Sequence, residues 1–103
     1  MSDAGALRER VAALAEALEG IHVDRGAAGE TWSVAGRPFA VVAGSAIELR
    51  MDPAVAHAAT RTPDTTTSHR GPEWIRFEPP VLDDHAADRL DAWFAHACRR
   101  ARD

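Results

Sequence analysis

The sequence predicts a two-layer α+β domain: an antiparallel sheet of about five strands, with the N- and C-terminal helices packed on one face. Three observations carry this. Residues 30–52, ETWSVAGRPFAVVAGSAIELRMD, alternate with period two and break at glycines. Apolar residues at helical spacing mark both ends of the chain. The gaps between the extended runs are too short for crossover helices, so neighbouring strands should pair antiparallel.

The first helix is expected over residues 4–19, capped by Ser2 or Asp3, with Leu7, Val11, Leu14 and Leu18 as its apolar stripe. Gly20 suits the position just past its end. Residues 21–24 alternate as a short strand, and Gly26-Ala27-Ala28-Gly29 reads as a turn. In the central stretch Trp32 and Val34 share one face. Strict alternation then pairs Phe39 with Val41 and Ala40 with Val42 on opposite faces. Ile47, Leu49 and Met51 alternate with Glu48 and Arg50, the pattern of a strand with one dry and one wet face. Pro38 belongs at a strand start, because it has no N–H to donate.

Asp52-Pro53 is a helix start: the carboxylate caps, and the proline fits the first helical position. A short helix over residues 53–60 would bury Val55 and Ala59. The Thr- and Pro-rich stretch 61–72 reads as a loop, with an extended piece at 65–69. After the Gly71-Pro72 turn, residues 73–78 form a strand with Ile75 and Phe77 on one face and Trp74, Arg76 and Glu78 on the other. Pro79-Pro80 stops it. Asp83 or Asp84 caps the last helix, which runs to about residue 102. Its apolar face holds Leu90, Trp93, Phe94, Ala97 and Ala101, with Cys98 at the margin. Arg99, Arg100 and Arg102 complement the helix dipole at its C-terminal end. The expected core sets Ile47, Leu49, Met51, Ile75 and Phe77 against Leu14, Leu90 and Phe94.

At 103 residues the chain is read as one domain, 1–103, and 46% hydrophobic content argues for folding. The net charge of −4 disfavours nonspecific attraction to nucleic acid or anionic membrane. All twelve basic residues are arginines, which rules out lysine Schiff-base chemistry or a P-loop lysine in this chain. The single cysteine cannot form an intrachain disulfide, so a reducing, cytoplasmic setting is expected. The charged N-terminal stretch does not read as a signal peptide, and no segment is long enough to span a membrane.

The best candidate site is Trp74, Arg76, Arg50, Arg70 and His69. Strand parity turns Trp74, Arg76 and Arg50 away from the core, and an indole beside guanidinium groups can stack a ring or hold a phosphate. The competing role is structural: Arg76 and Arg50 pairing with Glu48, Glu73 or Glu78 across strands, and Trp74 packing under the Thr-rich loop. Asp84, His85, Asp88 and Asp91 line one side of the last helix, where a solvated acidic face is the simpler reading. The histidines lack zinc-site spacing, and Cys98 reads as a packing thiol. Ser45 lacks the context of a nucleophile elbow, and the 26–29 turn is no phosphate loop because a strand follows it. No catalytic residue, metal ligand set or cofactor is assigned, and the partner is unspecified; the alternative to a binding module for a macromolecule is a small-ligand or metal-binding protein using a pocket between the sheet and the 61–72 loop, and a monomer or homodimer is expected.

GRPFAVVAG, AIELRMDP and HRGPEWIRFE, each in this order, resemble the small bacterial MmcQ/YjbR-like proteins. The matching residues are Gly36, Pro38, Phe39, Leu49, Asp52, Pro53, Gly71 and Trp74. The resemblance spans roughly the C-terminal two-thirds of the chain and implies a CyaY/frataxin-like fold and a non-catalytic binding module. The family label further implies DNA binding. Departures are the absence of lysine and a Thr-rich 61–69 loop without an aromatic residue.

Overall fold

The computed structural model describes residues 4–103. Helix α1 (Ala4–Glu16) leads into four consecutive strands: β1 (Ile21–Gly26), β2 (Gly29–Val34), β3 (Arg37–Ala43) and β4 (Ala46–Arg50). Helix α2 (Pro53–Ala59), strands β5 (Thr65–Thr67) and β6 (Trp74–Phe77), and the long helix α3 (Asp84–Arg102) complete the chain. All strand pairs are antiparallel, in the spatial order β1-β2-β3-β4-β6-β5. The sheet therefore has six strands. The sixth is the extended piece of the Thr-rich loop, which adds to the edge beside β6.

Short turns explain the run of hairpins. Between β2 and β3, Ala35 and Gly36 both adopt positive φ, 54° and 76°, the backbone whose twist matches that of the flanking strands. Gly29 is required for a different reason. A Cβ there would lie 2.2 Å from the Val42 carbonyl oxygen on the next strand, and its φ is 137°. Asp52 caps α2 by accepting from the Ala54 N–H at 2.9 Å, and Asp83 caps α3 by accepting from the Ala86 N–H at 2.8 Å.

The sheet buries one face against α1 and α3. Cross-strand neighbours Ala40, Leu49 and Ile75, and Val42, Ile47 and Phe77, share that face and are fully enclosed, with Met51 beyond them. Leu7 and Val11 of α1 and Leu90, Phe94, Ala97 and Cys98 of α3 close over them. The expected core is therefore present, with one substitution: Leu14 is half-buried, and Ala15 takes the enclosed place. In α2, Ala56 and Ala59 are buried and Val55 only partly so. Helix α1 ends at Glu16 instead of Glu19, and its expected caps, Ser2 and Asp3, lie outside the described residues. Cys98 is enclosed within the core, inside the margin expected for it.

Strict alternation fails at one place. The β2–β3 register shifts between Trp32 and Ser33, which face Ala40 and Pro38, leaving Phe39 as the extra residue of a bulge. The bulge turns Phe39 toward the helices along with Ala40, and its ring meets Phe94 edge-on with centroids 5.2 Å apart. Val41 falls on the opposite face, beside Thr31 and Glu48. The expected pairing of Phe39 with Val41 is thus corrected: the inserted residue resets the phase.

Leu49→Ala should cost ~2–5 kcal/mol, read as a lower urea midpoint with an unchanged slope. Ala35→Asn should stabilise by about 0.5–1 kcal/mol, read as a higher melting temperature, because asparagine tolerates the left-handed backbone that alanine resists.

Candidate functional site

The sheet face away from α1 and α3 is not uniformly wet. Glu48, expected among its solvated residues, is 3% exposed. Strand β5 continues into Ser68, whose N–H donates to the Trp74 carbonyl at 3.1 Å. The Trp74 and Gly71 N–H groups then donate to Gly71 and Ser68 carbonyls, folding the 68–74 segment into a tight hairpin end. This fold lays Ser68 and Arg70 across the face. The Ser68 hydroxyl donates to Glu48 Oε2, and Arg70 Nε donates to Glu48 Oε1 at 3.1 Å. His69 Nδ1 lies 3.6 Å from the same carboxylate, while its side chain is 79% exposed.

Burial pushes the Glu48 pKa up, but the hydrogen bonds from Ser68 and Arg70, with the charges of Arg70 and His69, outweigh it and hold the carboxyl below its ordinary value. A charged carboxylate under a loop is stable here because both of its oxygens are occupied.

With Arg70 fixed through Nε, its guanidinium carbon stands 5.6 Å from the centre of the Trp74 ring. Trp74 and Arg50 are direct cross-strand partners on the same face. Arg50 Nε donates to Glu73 Oε2 at 3.0 Å, and Arg100 of α3 reaches the other oxygen of Glu73 at 2.9 Å. The two arginines hold the Glu73 carboxyl below its ordinary value, Arg100 contributing most. Glu73 therefore ties the strand face to the terminal helix around the end of the sheet. Neither Arg50 nor Arg70 makes a further hydrogen bond through its terminal nitrogens among the described residues.

Arg50, Arg70 and Trp74 line one open recess of about 490 Å³, walled by Pro38, Pro53, Gly71, Pro72 and Glu73. Three of the five sequence-predicted site residues meet there. Arg76 shares their face but not their recess; it lies one cross-strand row away, opposite Glu48, and sits 3.5 Å from Glu78. His69 faces solvent beside Glu48. The expected structural pairings also occur: Arg50 with Glu73, and Arg76 with Glu78. Trp74 is half-exposed, covered in part by Arg70 from the loop. Ser68 is not singled out by sequence reasoning, and Glu48 is named only as a cross-strand partner for arginines; its alternation with Ile47 and Leu49 looks like any solvated position.

The acidic side of α3 is partly neutralised: Asp91 accepts from Arg10 Nε at 2.8 Å. Among the described residues, no three His, Cys, Asp or Glu side chains converge as metal ligands, and no helix is long and apolar enough to cross a membrane. The chain matches no protein-family model, no curated protein and no solved structure.

Glu48→Gln should destabilise the protein at neutral pH by about 1–3 kcal/mol, measured by urea unfolding. The sign with pH follows from the lowered pKa. The stabilisation is full above the ordinary glutamate value of about 4.3 and is lost as pH falls through the lower folded-state value. The gap between the variant and the parent should therefore close on acidification, and a gap that persists would remove the charge from the explanation.

Proposed function

We propose that this chain is a small non-catalytic binding module whose recess beside Trp74 takes a flat, apolar small molecule bearing a carboxylate or phosphate. The observation that carries the reading is the convergence of Trp74, Arg50 and Arg70 on one recess, whose other walls are three prolines, Gly71 and Glu73, the last already paired with Arg50 and Arg100. An indole offers stacking area at little entropic cost, and the rigid proline rings around it add preorganised apolar surface. The guanidinium groups are held through Nε by Glu73 and Glu48, so their terminal nitrogens supply charge-assisted hydrogen bonds without first having to be ordered. The residues shared with MmcQ/YjbR-like proteins, Pro38, Pro53, Gly71 and Trp74 among them, include walls of this recess, which supports the family reading of a binding module.

The DNA-binding label of that family is the weaker reading. The net charge is −4, and the other two arginines on or beside this face, Arg76 and Arg100, are paired with Glu78 and Glu73. A duplex needs many uncommitted cations to displace its counterions.

Titration of tryptophan fluorescence with phenyl phosphate, inorganic phosphate and a DNA duplex tests this. Phenyl phosphate should quench saturably, inorganic phosphate should act more weakly, and the duplex should show no salt-sensitive complex. Trp74→Ala should abolish the response while lowering stability by less than about 1 kcal/mol, as a half-exposed rim residue would. A large loss of stability with unchanged binding would make Trp74 a packing residue and end the proposal.

A further inference from the structure

Among the described residues, strand β1 is a sheet edge six residues long with no strand on its outer side. It pairs with β2 without a break in register, from Ile21 opposite Val34 to Gly26 opposite Gly29, and carries neither proline, lysine nor bulge. These are among the devices that blunt an edge; of the others β1 carries only charged side chains, at Asp24 and Arg25. The opposite edge, β5, has only three residues.

Geometry fixes which groups β1 presents. Gly26 and Gly29 close a two-residue loop, and the pair closing such a loop is the hydrogen-bonded one. By alternation, the backbone groups of His22 and Asp24 point to β2, and those of Ile21, Val23 and Arg25 point away from the sheet. The side chains split differently. Val23 is opposite Trp32 on the helix side, partly buried, while His22 and Asp24 lie exposed on the other face beside Ser33 and Thr31.

We infer that β1 is a homodimerisation edge, on which a second copy of this chain pairs antiparallel with Val23 on the two-fold axis. Three features select this occupant and this register. The outward backbone groups of Val23 then meet those of Val23 in the second copy, and the outward groups of Ile21 meet those of Arg25. On the outer face, His22 of each copy falls directly opposite Asp24 of the other, so one edge supplies two complementary pairs by symmetry. On the helix side the two Val23 side chains meet. Registers two residues away that keep the same backbone groups paired set Asp24 against Asp24 or His22 against His22, so like residues meet at the axis. Arg25 does not interfere, since its charge is already matched within the hairpin by Glu30 Oε2 at 2.9 Å. The product is one continuous sheet through both copies, with each Trp74 recess, built from β4, β6 and the start of β3, away from the axis.

Light scattering after size-exclusion chromatography on the whole chain tests this. The parent should show twice the 11.1 kDa chain mass, dissociating on dilution. His22→Asp places carboxylates opposite each other twice and should raise the dissociation midpoint about tenfold or more. The double variant His22→Asp/Asp24→Arg restores opposite charges and should restore the dimer. Val23→Pro removes an outward N–H, which an edge strand tolerates, together with a partly buried valine side chain; it should lower stability yet give a folded monomer by circular dichroism. A parent of 11.1 kDa at every concentration, a dimer indifferent to His22→Asp and Val23→Pro, or a double variant that stays monomeric would each overturn the assignment.

Discussion

The outer face of the sheet is organised by one buried carboxylate. Glu48 sits in the middle of β4, and removing it from water is unfavourable unless both oxygens find donors. Those donors, Ser68 and Arg70, belong to a segment about 20 residues further on, so satisfying the charge also fixes the path of the chain between β5 and β6. Arg70 is then held over Trp74, and Gly71-Pro72 forms a wall. The recess is therefore a by-product of how a charge is buried. Its precision depends on hydrogen bonds that an apolar loop contact would not direct.

Glu73 plays the matching part at the end of the sheet. It joins Arg50 on the strand face to Arg100 on α3, so the two layers are linked by a shared carboxylate as well as by the core. Arg37 adds to the same corner by donating to the carbonyls of Ala101 and Asp103 at the end of α3. These groups are half-exposed or, at Arg37, exposed, so each contributes little alone. Their joint effect is geometric: the last turn of the helix is held against the strand that carries half of the recess.

The sequence made some of this legible and hid the rest for definite reasons. Ile47, Leu49 and Met51 could be read because a central strand buries one side against helices, and period two reports that side directly. The stripe of Leu90, Phe94 and Ala97 was legible for the same reason at period 3.6. Phe39 was misplaced because a bulge changes the phase of alternation, and no residue type marks it. Glu48 was misread because alternation reports which face a residue occupies and says nothing of what later covers that face. The same limit explains Arg76. Parity placed it correctly with Trp74 and Arg50, but position along the strand, which parity does not report, put it in a different row with a different carboxylate.

The permanently charged partners of Glu48 and Glu73 are all guanidinium groups. The chain contains no lysine and no tyrosine, the two side chains that ordinarily titrate near pH 10, and its one thiol is enclosed in the core. Arginine keeps its proton throughout that range. Above the histidine region the electrostatic ties of Glu48 and Glu73 thus have nothing exposed to switch them off. Alkaline solution, which loosens lysine-paired proteins by deprotonating one partner, leaves this network charged as it is at neutrality. The same composition leaves no side-chain amine for amine-directed reagents, so side-chain labelling of this molecule has to use other groups, such as the exposed imidazoles of His22, His57, His69 and His85.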